Sequence, residues 1–148
     1  MLPKEYGSGS TCHRRFQQWV QLDIFKKIWI RLLEEYDNKI GIKLIWQSLD
    51  SISIKSPLGG VMTGNNPTDR SKVGTKRHIL TDKQGIPLSA VISSASTHDI
   101  KAVTDVIDNT VIKRTFVSKP KRGKRQRRKY HHLCLDRAYQ SKSIEQKR

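Results

Sequence analysis

The first forty residues have the hydrophobic spacing of two amphipathic helices. In the second, apolar residues recur at every third or fourth position, namely Phe25, Ile28, Trp29, Leu32, Leu33 and Tyr36. Asp23 is its predicted N-cap, and Asn38 and Gly41 end it. A shorter helix, capped by Ser10 or Thr11, precedes it with a basic outer face. Such a pair is typical both of half a helix-turn-helix DNA-binding motif and of an ordinary helical hairpin, and the pattern favours neither.

After residue 41 the pattern changes to the alternation of β-strands. The side chains of residues 42–48 alternate between the two faces of a predicted strand that leads to Asp50. Residues 51–55 continue this alternation until Pro57. Residues 58–72 have no periodicity, and 75–81 and 86–93 form a predicted hairpin around a tight turn. Thr97 would cap a helix that buries Ile100, Val103 and Ile107. Residues 133–135 form a last short strand, and a final helix begins near Ala138. The order predicts an α/β fold, a mixed sheet flanked by helices, in residues 42–148, preceded by a helical segment, 1–41.

The charge of the chain indicates a nucleic-acid partner. Of its 148 residues, 29 are Lys or Arg and 13 are Asp or Glu, which gives a net charge of +16. Such an excess attracts phosphate backbones, although ribosomal proteins and basic tails share it. Residues 119–129 carry eight cations and no acid, and we expect a solvated DNA-contacting loop over 117–132. The candidate phosphate contacts are Arg14, Arg15, Lys76, Arg77, Lys121, Arg122, Lys124, Arg125, Arg127, Arg128 and Lys129.

Other features of composition point to a cytoplasmic protein, which the expected DNA partner would place at the nucleoid. No apolar run approaches the ~18 residues of a membrane span. Cys12 and Cys134 lie far apart in the sequence and outside any C-x-x-C pair, so neither a zinc site nor a disulfide framework is predicted. Both have apolar neighbours, and we expect each to be a small buried residue.

Two aspartates follow hydrophobic strands and are candidates for metal chemistry. They are Asp50 and Asp136. A carboxylate at that position is costly unless it is exposed or bound to a cation. Paired carboxylates suit Mg²⁺ or Mn²⁺, and two such ions about 4 Å apart can catalyse phosphodiester transfer. Aspartates at strand ends are also common turn and capping residues, so the spacing alone leaves both interpretations open.

Seven segments, in order along almost the whole chain, carry a family resemblance. They are Leu2–Gly7, Thr11–Trp19, Leu49–Ser51, Asn66–Leu80, Gly85–Leu88, Thr97–Asp99 and Leu135–Tyr139. Together they resemble the DDE transposases of IS-five-type bacterial insertion sequences, and 66–80 is the most specific. The resemblance implies a partial RNase H-like fold and Mg²⁺- or Mn²⁺-dependent cleavage and transfer of DNA strands at transposon ends. Asp50 and Asp136 would be the first two acids of the DDE triad. The implied partner is double-stranded DNA with terminal inverted repeats, bound by a homodimer. His98 and Asp99 would be structural.

The chain departs from the family pattern at both ends. The third acid, a Glu, would lie several tens of residues after Asp136, but only twelve residues follow, and their one acid, Glu145, is a predicted surface residue. A helical segment that usually precedes the Leu2–Gly7 block is absent. We therefore expect the chain alone not to transpose DNA. It could be a decayed remnant, the first product of a frameshifted gene, or a DNA-binding fragment that inhibits the intact enzyme. A non-catalytic RNA-binding protein would explain the charge but not the ordered motifs.

Overall fold

The chain forms two compact units. The computed structural model of the protein describes residues 3–112 and 132–135. The units are Met1–Gly41 and Ile42–Arg148. Within the described residues, no helix is both long and apolar enough to cross a membrane.

The first unit contains two helices after a short 3₁₀ helix, Lys4–Tyr6. Helix α1 is Gly9–Gln21 and helix α2 is Ile24–Lys39. The predicted cap of α1 is wrong in detail, whereas Asp23 occupies the predicted N-cap of α2. The Ser8 hydroxyl, rather than Ser10 or Thr11, accepts the capping hydrogen bond, from the Thr11 N–H at 3.2 Å. Asp23 precedes α2 with a left-handed φ of 54° and makes no capping hydrogen bond through its side chain.

The apolar residues of this helical pair stay largely accessible. Leu33 is the one buried residue of α2, and α1 has none. The ring of Phe25 packs against those of Phe16 and Trp19, with centroids 5.6 and 6.1 Å apart. All three rings remain close to half exposed. The predicted amphipathic pattern therefore pairs α1 with α2 without enclosing a core.

Over the part of the chain that the structure describes, the second unit is built on a five-stranded mixed sheet. Its strands are β1 (Trp46–Lys55), β2 (Gly64–Asn65), β3 (Val73–Asp82), β4 (Pro87–Ser94) and β5 (His132–Leu135). Strand β3 pairs antiparallel with β1, β2 and β4, whereas β5 pairs parallel with β1. A 3₁₀ turn, Asp99–Lys101, leads into helix α3, Ala102–Asp108, which packs on β3 and β4. The predicted α/β fold with a mixed sheet is confirmed, and it is consistent with the first part of an RNase H-like domain.

Alternation along the strands gives the sheet two different faces. The core face carries the odd-numbered residues of β1 and the even-numbered residues of β3, because these positions pair directly, as in Leu49 with Leu80. Both leucines are 1 % exposed. The open face carries the alternate residues, from Ser48 to Ile52 in β1 and Arg77 to Thr81 in β3. Ala102, Val103 and Val106 of α3 are buried in the core.

Several predicted boundaries shift for physical reasons. Strand β1 begins four residues after Ile42, and the N–H of Lys43 donates to the Asp82 carboxylate at 3.1 Å instead of joining the ladder. The other carboxylate oxygen of Asp82 accepts from the N–H groups of Gln84 and Ile86, which fixes the hairpin turn.

Four further expectations are wrong. The helical segment is capped by His98, whose Nδ1 accepts from the Ile100 N–H, rather than by Thr97. Val106 is buried where Ile107 was expected, and Ile107 is exposed. Cys134 is exposed, and Cys12 is only half-buried. His132 belongs to β5 rather than to the basic loop. Residues 117–131 of that loop and the predicted final helix lie outside the described residues.

Candidate functional site

Asp50 projects from the middle of the open face. It lies within β1, opposite Ile79 of β3, and not after the end of the strand as the sequence suggested. Its side chain is exposed, and one carboxylate oxygen accepts a hydrogen bond from the N–H of Ser51 at 2.7 Å. The carboxylate forms no ion pair with the residues that the structure describes, which is tolerated because water can solvate it.

A shallow depression lies beside Asp50, where β1 meets β5. Its volume is about 320 Å³, and it is lined by Ser48, Leu49, Asp50, Cys134 and Leu135. The parallel register pairs Ser48 with Cys134 and Leu49 with Leu135. Asp50 is the next residue after Leu49, and in sequence Asp136 is the next residue after Leu135. Asp136 itself lies outside the described residues.

An aromatic stack joins the two strands at the start of this pairing. The rings of Trp46 and His132 lie nearly parallel, with centroids 4.3 Å apart and an interplanar angle of 16°. The backbone N–H of His132 donates to the carbonyl of Ile45 at 2.7 Å. These two contacts hold β5 against β1 and thereby fix the register at the depression.

The two predicted phosphate contacts of β3 lie on opposite faces. Arg77 is exposed on the open face, diagonal to Asp50 through the pair Asp50–Ile79. Diagonal neighbours on one face of an antiparallel pair are about 7–8 Å apart. Lys76 lies on the core face, where its ammonium is 3.0 Å from an Asp99 carboxylate oxygen and donates to the Thr97 carbonyl at 2.9 Å. Its side chain is only 15 % exposed. The ammonium of Lys76 is thus engaged within the protein.

A buried histidine lies next to that ion pair. His78 is fully buried, and its Nε2 is 2.8 Å from the Ser93 hydroxyl. Burial lowers the pKa of His78 below its ordinary value of 6.5; Lys76 acts in the same direction and the Asp99 carboxylate opposes it. His98 and Asp99 cap and begin the turn before α3, as a structural role predicts.

The remaining candidate cations cannot be joined to this site. Arg14 and Arg15 are exposed on α1, in the first unit. The other seven lie outside the described residues; they are Lys121, Arg122, Lys124, Arg125, Arg127, Arg128 and Lys129.

The donor set at Asp50 matches the preferences of a hard divalent ion only in part. Over residues 3–112 and 132–135, no group of three or more His, Cys, Asp or Glu side chains could hold a metal. Mg²⁺ commonly binds through one or two carboxylates and takes its other ligands from water and substrate phosphates. An exposed carboxylate in an open depression fits that mode of binding, with a second carboxylate still to be supplied.

Sequence reasoning missed the residues that surround Asp50. Ser48 and Trp46 share its face because they are two and four positions earlier in the same strand. This shared face could have been predicted from the alternation in the sequence. The partners from β5, Cys134 and His132, could not be found in this way, since no local pattern fixes which strands pair or in what register.

Comparisons with known proteins indicate which family the chain resembles. A family model described as a transposase DDE domain matches residues 47–147. A protein of Burkholderia cepacia, named as a transposase for insertion sequence element IS402, is 44 % identical over 50 residues. That match covers 34 % of this chain and 24 % of the relative. No solved structure matches the chain.

Proposed function

Because the chain belongs to the family of transposases with a DDE domain, we propose that it contributes Asp50 and Asp136 to a metal site for DNA strand cleavage and transfer. The metal would be Mg²⁺ or Mn²⁺. The family implies DNA as the partner in general. The matched segment spans only about a quarter of the B. cepacia relative. The activity of a whole transposase is therefore proposed for this chain and not taken from the comparison.

The observation that carries the proposal is the parallel pairing of β1 with β5. Its register sets Leu49 beside Leu135, the residues that immediately precede the two aspartates. Leu49 and Leu135 both belong to the core-face set of positions. Because side chains alternate along a strand, a continuation of this pairing by one residue would direct both aspartates to the open face.

The surroundings of Asp50 support phosphate chemistry at this face. When bound, the divalent ion would polarise the phosphodiester and favour ionisation of the attacking hydroxyl or water. The Asp50 carboxylate would hold that ion, and its exposure leaves room for phosphate oxygens as further ligands. Arg77 projects from the same face, one diagonal step away, and would bind and orient a neighbouring phosphate.

DNA would be held mainly through its backbone. Arg14 and Arg15 in the first unit and the cations of residues 121–129 are proposed as phosphate contacts, which position a duplex without reading its sequence. Lys76 is the weakest of these candidates because its ammonium is paired with Asp99. The proposal has four further parts. They are terminal inverted repeats as the DNA target, a homodimer on DNA, membership of the IS-five group, and action in the cytoplasm at the nucleoid.

A Mn²⁺ titration of the purified chain tests the metal site. We expect Asp50→Asn and Asp136→Asn each to weaken Mn²⁺ binding by roughly tenfold or more, because each removes a charged ligand of similar size. Asp108→Asn is the matched control, since Asp108 is exposed at the end of α3. Calorimetry supplies the affinities, and circular dichroism confirms that each variant is folded.

The DNA arm of the proposal is tested separately with the same variants. Binding to duplex DNA carrying the inverted repeats of the surrounding element should survive Asp50→Asn, because backbone cations supply most of the affinity. If Asp50→Asn binds Mn²⁺ as tightly as the wild-type chain does, the proposed metal site is overturned, but the proposed DNA binding is not. Preference for RNA over DNA would instead favour the non-catalytic RNA-binding alternative.

A further inference from the structure

The loop between β2 and β3 is held in one shape by hydrogen bonds to the backbone and side chain of one buried residue, Asn66. Asn66 is 7 % exposed. Its N–H donates to the Lys72 carbonyl at 2.9 Å, and its own carbonyl accepts from the N–H groups of Asp69 and Ser71. The side-chain oxygen of Asn66 accepts from both the N–H and the hydroxyl of Thr68, at 3.1 and 2.8 Å. The loop 66–72 is therefore a preformed element of the second unit.

This loop places two side chains in an unfavourable backbone region. Arg70 and Ser71 have φ values of 50° and 56°. Few residues other than glycine adopt this left-handed region, whereas glycine enters it freely. Arg70 is exposed, and its guanidinium makes no ion pair or hydrogen bond with the residues that the structure describes. No hydrogen bond or ion pair among the described residues uses the arginine, although glycine would suit this backbone better, which points to a role outside the fold.

Among the residues that the structure describes, the charges next to Arg70 are paired with one another and not with its guanidinium. The carboxylate of Asp69 lies 3.5 Å from the Lys55 ammonium and 4.0 Å from the Lys72 ammonium. It is shared by two lysines, so it does not neutralise Arg70. The contact with Lys55 also ties the loop to the end of β1, the strand that carries Asp50.

The position of the loop relative to Asp50 suits a long, charged partner. Lys55 is five residues after Asp50 in the same strand, which at ~3.3 Å per residue is about 17 Å. At 3.4 Å per base pair that distance corresponds to about five base pairs of duplex DNA. Lys55 occupies a core-face position by alternation but is exposed, because it is the last residue of the strand. A duplex that passes Asp50 and runs along β1 would therefore reach the end of the strand to which this loop is tied.

We propose that Arg70 binds a phosphate of duplex DNA several base pairs from the strand that Asp50 serves. The inference rests on the proposed DNA partner and adds a contact site to it. The preformed loop would hold the guanidinium ready for the phosphate, which lowers the entropy lost on binding. Being a backbone contact, it would raise affinity equally for all sequences and make it more dependent on salt.

The test compares four forms of the 148-residue chain on one mixed-sequence DNA duplex over a series of NaCl concentrations. They are wild type, Arg70→Gly, Arg70→Lys and Lys83→Ala. Arg70→Gly should bind severalfold more weakly and lower the slope of log K against log salt by about one. Arg70→Lys should keep that slope because it keeps the charge. Lys83, exposed in the turn between β3 and β4, controls for the general loss of one cation.

Thermal unfolding separates this effect from damage to the fold. Arg70→Gly should melt at the wild-type temperature or above it, because glycine suits the left-handed backbone. The inference is overturned if Arg70→Gly binds DNA like the wild type, or if Lys83→Ala loses as much affinity. Tighter binding to an RNA duplex of the same sequence also overturns it. A wild-type chain that binds no DNA overturns both this inference and the proposed DNA partner, whereas an unaffected Arg70→Gly overturns this inference alone.

Discussion

The two faces of the sheet in the second unit use the same strands for opposite purposes. On the core face, Leu49 and Leu80 pair and are 1 % exposed, and α3 packs over β3 and β4. On the open face, one residue along, Asp50 is exposed and Ile52 is 56 % exposed. Alternation with period two therefore separates residues that stabilise the fold from residues free to meet a ligand.

The polar groups of the two faces differ in the same way. On the core face, the ammonium of Lys76 is paired with Asp99, and His78 is hydrogen-bonded to Ser93. On the open face, Asp50 and Arg77 are exposed and form no ion pair with described residues. Partly buried polar groups require partners, whereas solvated ones do not. Neighbours in sequence such as Lys76 and Arg77 thus have unrelated roles.

The largest expected effect is the loss of the ion pair on the core face. Lys76→Met should lower the free energy of unfolding by about 3–5 kcal/mol, because it leaves the Asp99 carboxylate, 12 % exposed, without its cation. Lys55→Met is the matched control: its pair with Asp69 is exposed and should contribute about 0.2–1 kcal/mol. Urea unfolding measures both. Equal losses in the two variants would contradict the assignment of Lys76 to the core.

A pair of truncations in β1 tests the two faces directly. Leu49→Ala should cost about 2–5 kcal/mol of unfolding free energy, because it removes a buried side chain and leaves a cavity. Ile52→Ala, three residues later on the open face, should cost less than about 1 kcal/mol. The same urea titrations report both values. Similar costs would mean that the open face is covered in the folded protein.

The smallest expected effect is a pH dependence due to His78. Since burial lowers its pKa in the folded state, the unfolded chain binds the proton first as pH falls below 6.5. The stability that the neutral ring provides is complete above pH 6.5 and is lost as pH falls toward the lower pKa of the folded state. His78→Gln should flatten the unfolding free energy measured between about pH 7.5 and 5.5. A wild-type slope unchanged by this substitution would contradict the predicted shift.

Local patterns in the sequence predicted most elements and the hairpin of β3 with β4, but not the pairing of β1 with β3 or with β5. The strands through Asp50 and on both sides of Asp82 were predicted because alternation and turn residues act over a few positions. The capping residues Ser8 and His98 were missed, since several nearby polar side chains could have served. The parallel register of β1 with β5 depends on distant segments and has no local signal.

The candidate site was predicted in the same incomplete way. Asp50 was found through its motif, and the structure adds the depression beside it. Lys76 was selected for its charge, but no local pattern indicated that the cation faces Asp99. Arg70 was overlooked within the most specific segment, because its left-handed backbone is not marked by a glycine.

The pairing of β5 with β1 also bears on the order in which the protein folds. Leu49 pairs with Leu80, and Leu80 pairs with Ser89, so the pairing of β1, β3 and β4 joins segments that are comparatively near in sequence. Leu49 pairs with Leu135 only after a far longer stretch of chain has been brought back. Contacts between distant segments generally form late because their loop-closure entropy must be met first. We therefore expect the antiparallel strands to form a template on which the strand leading to the second aspartate docks last.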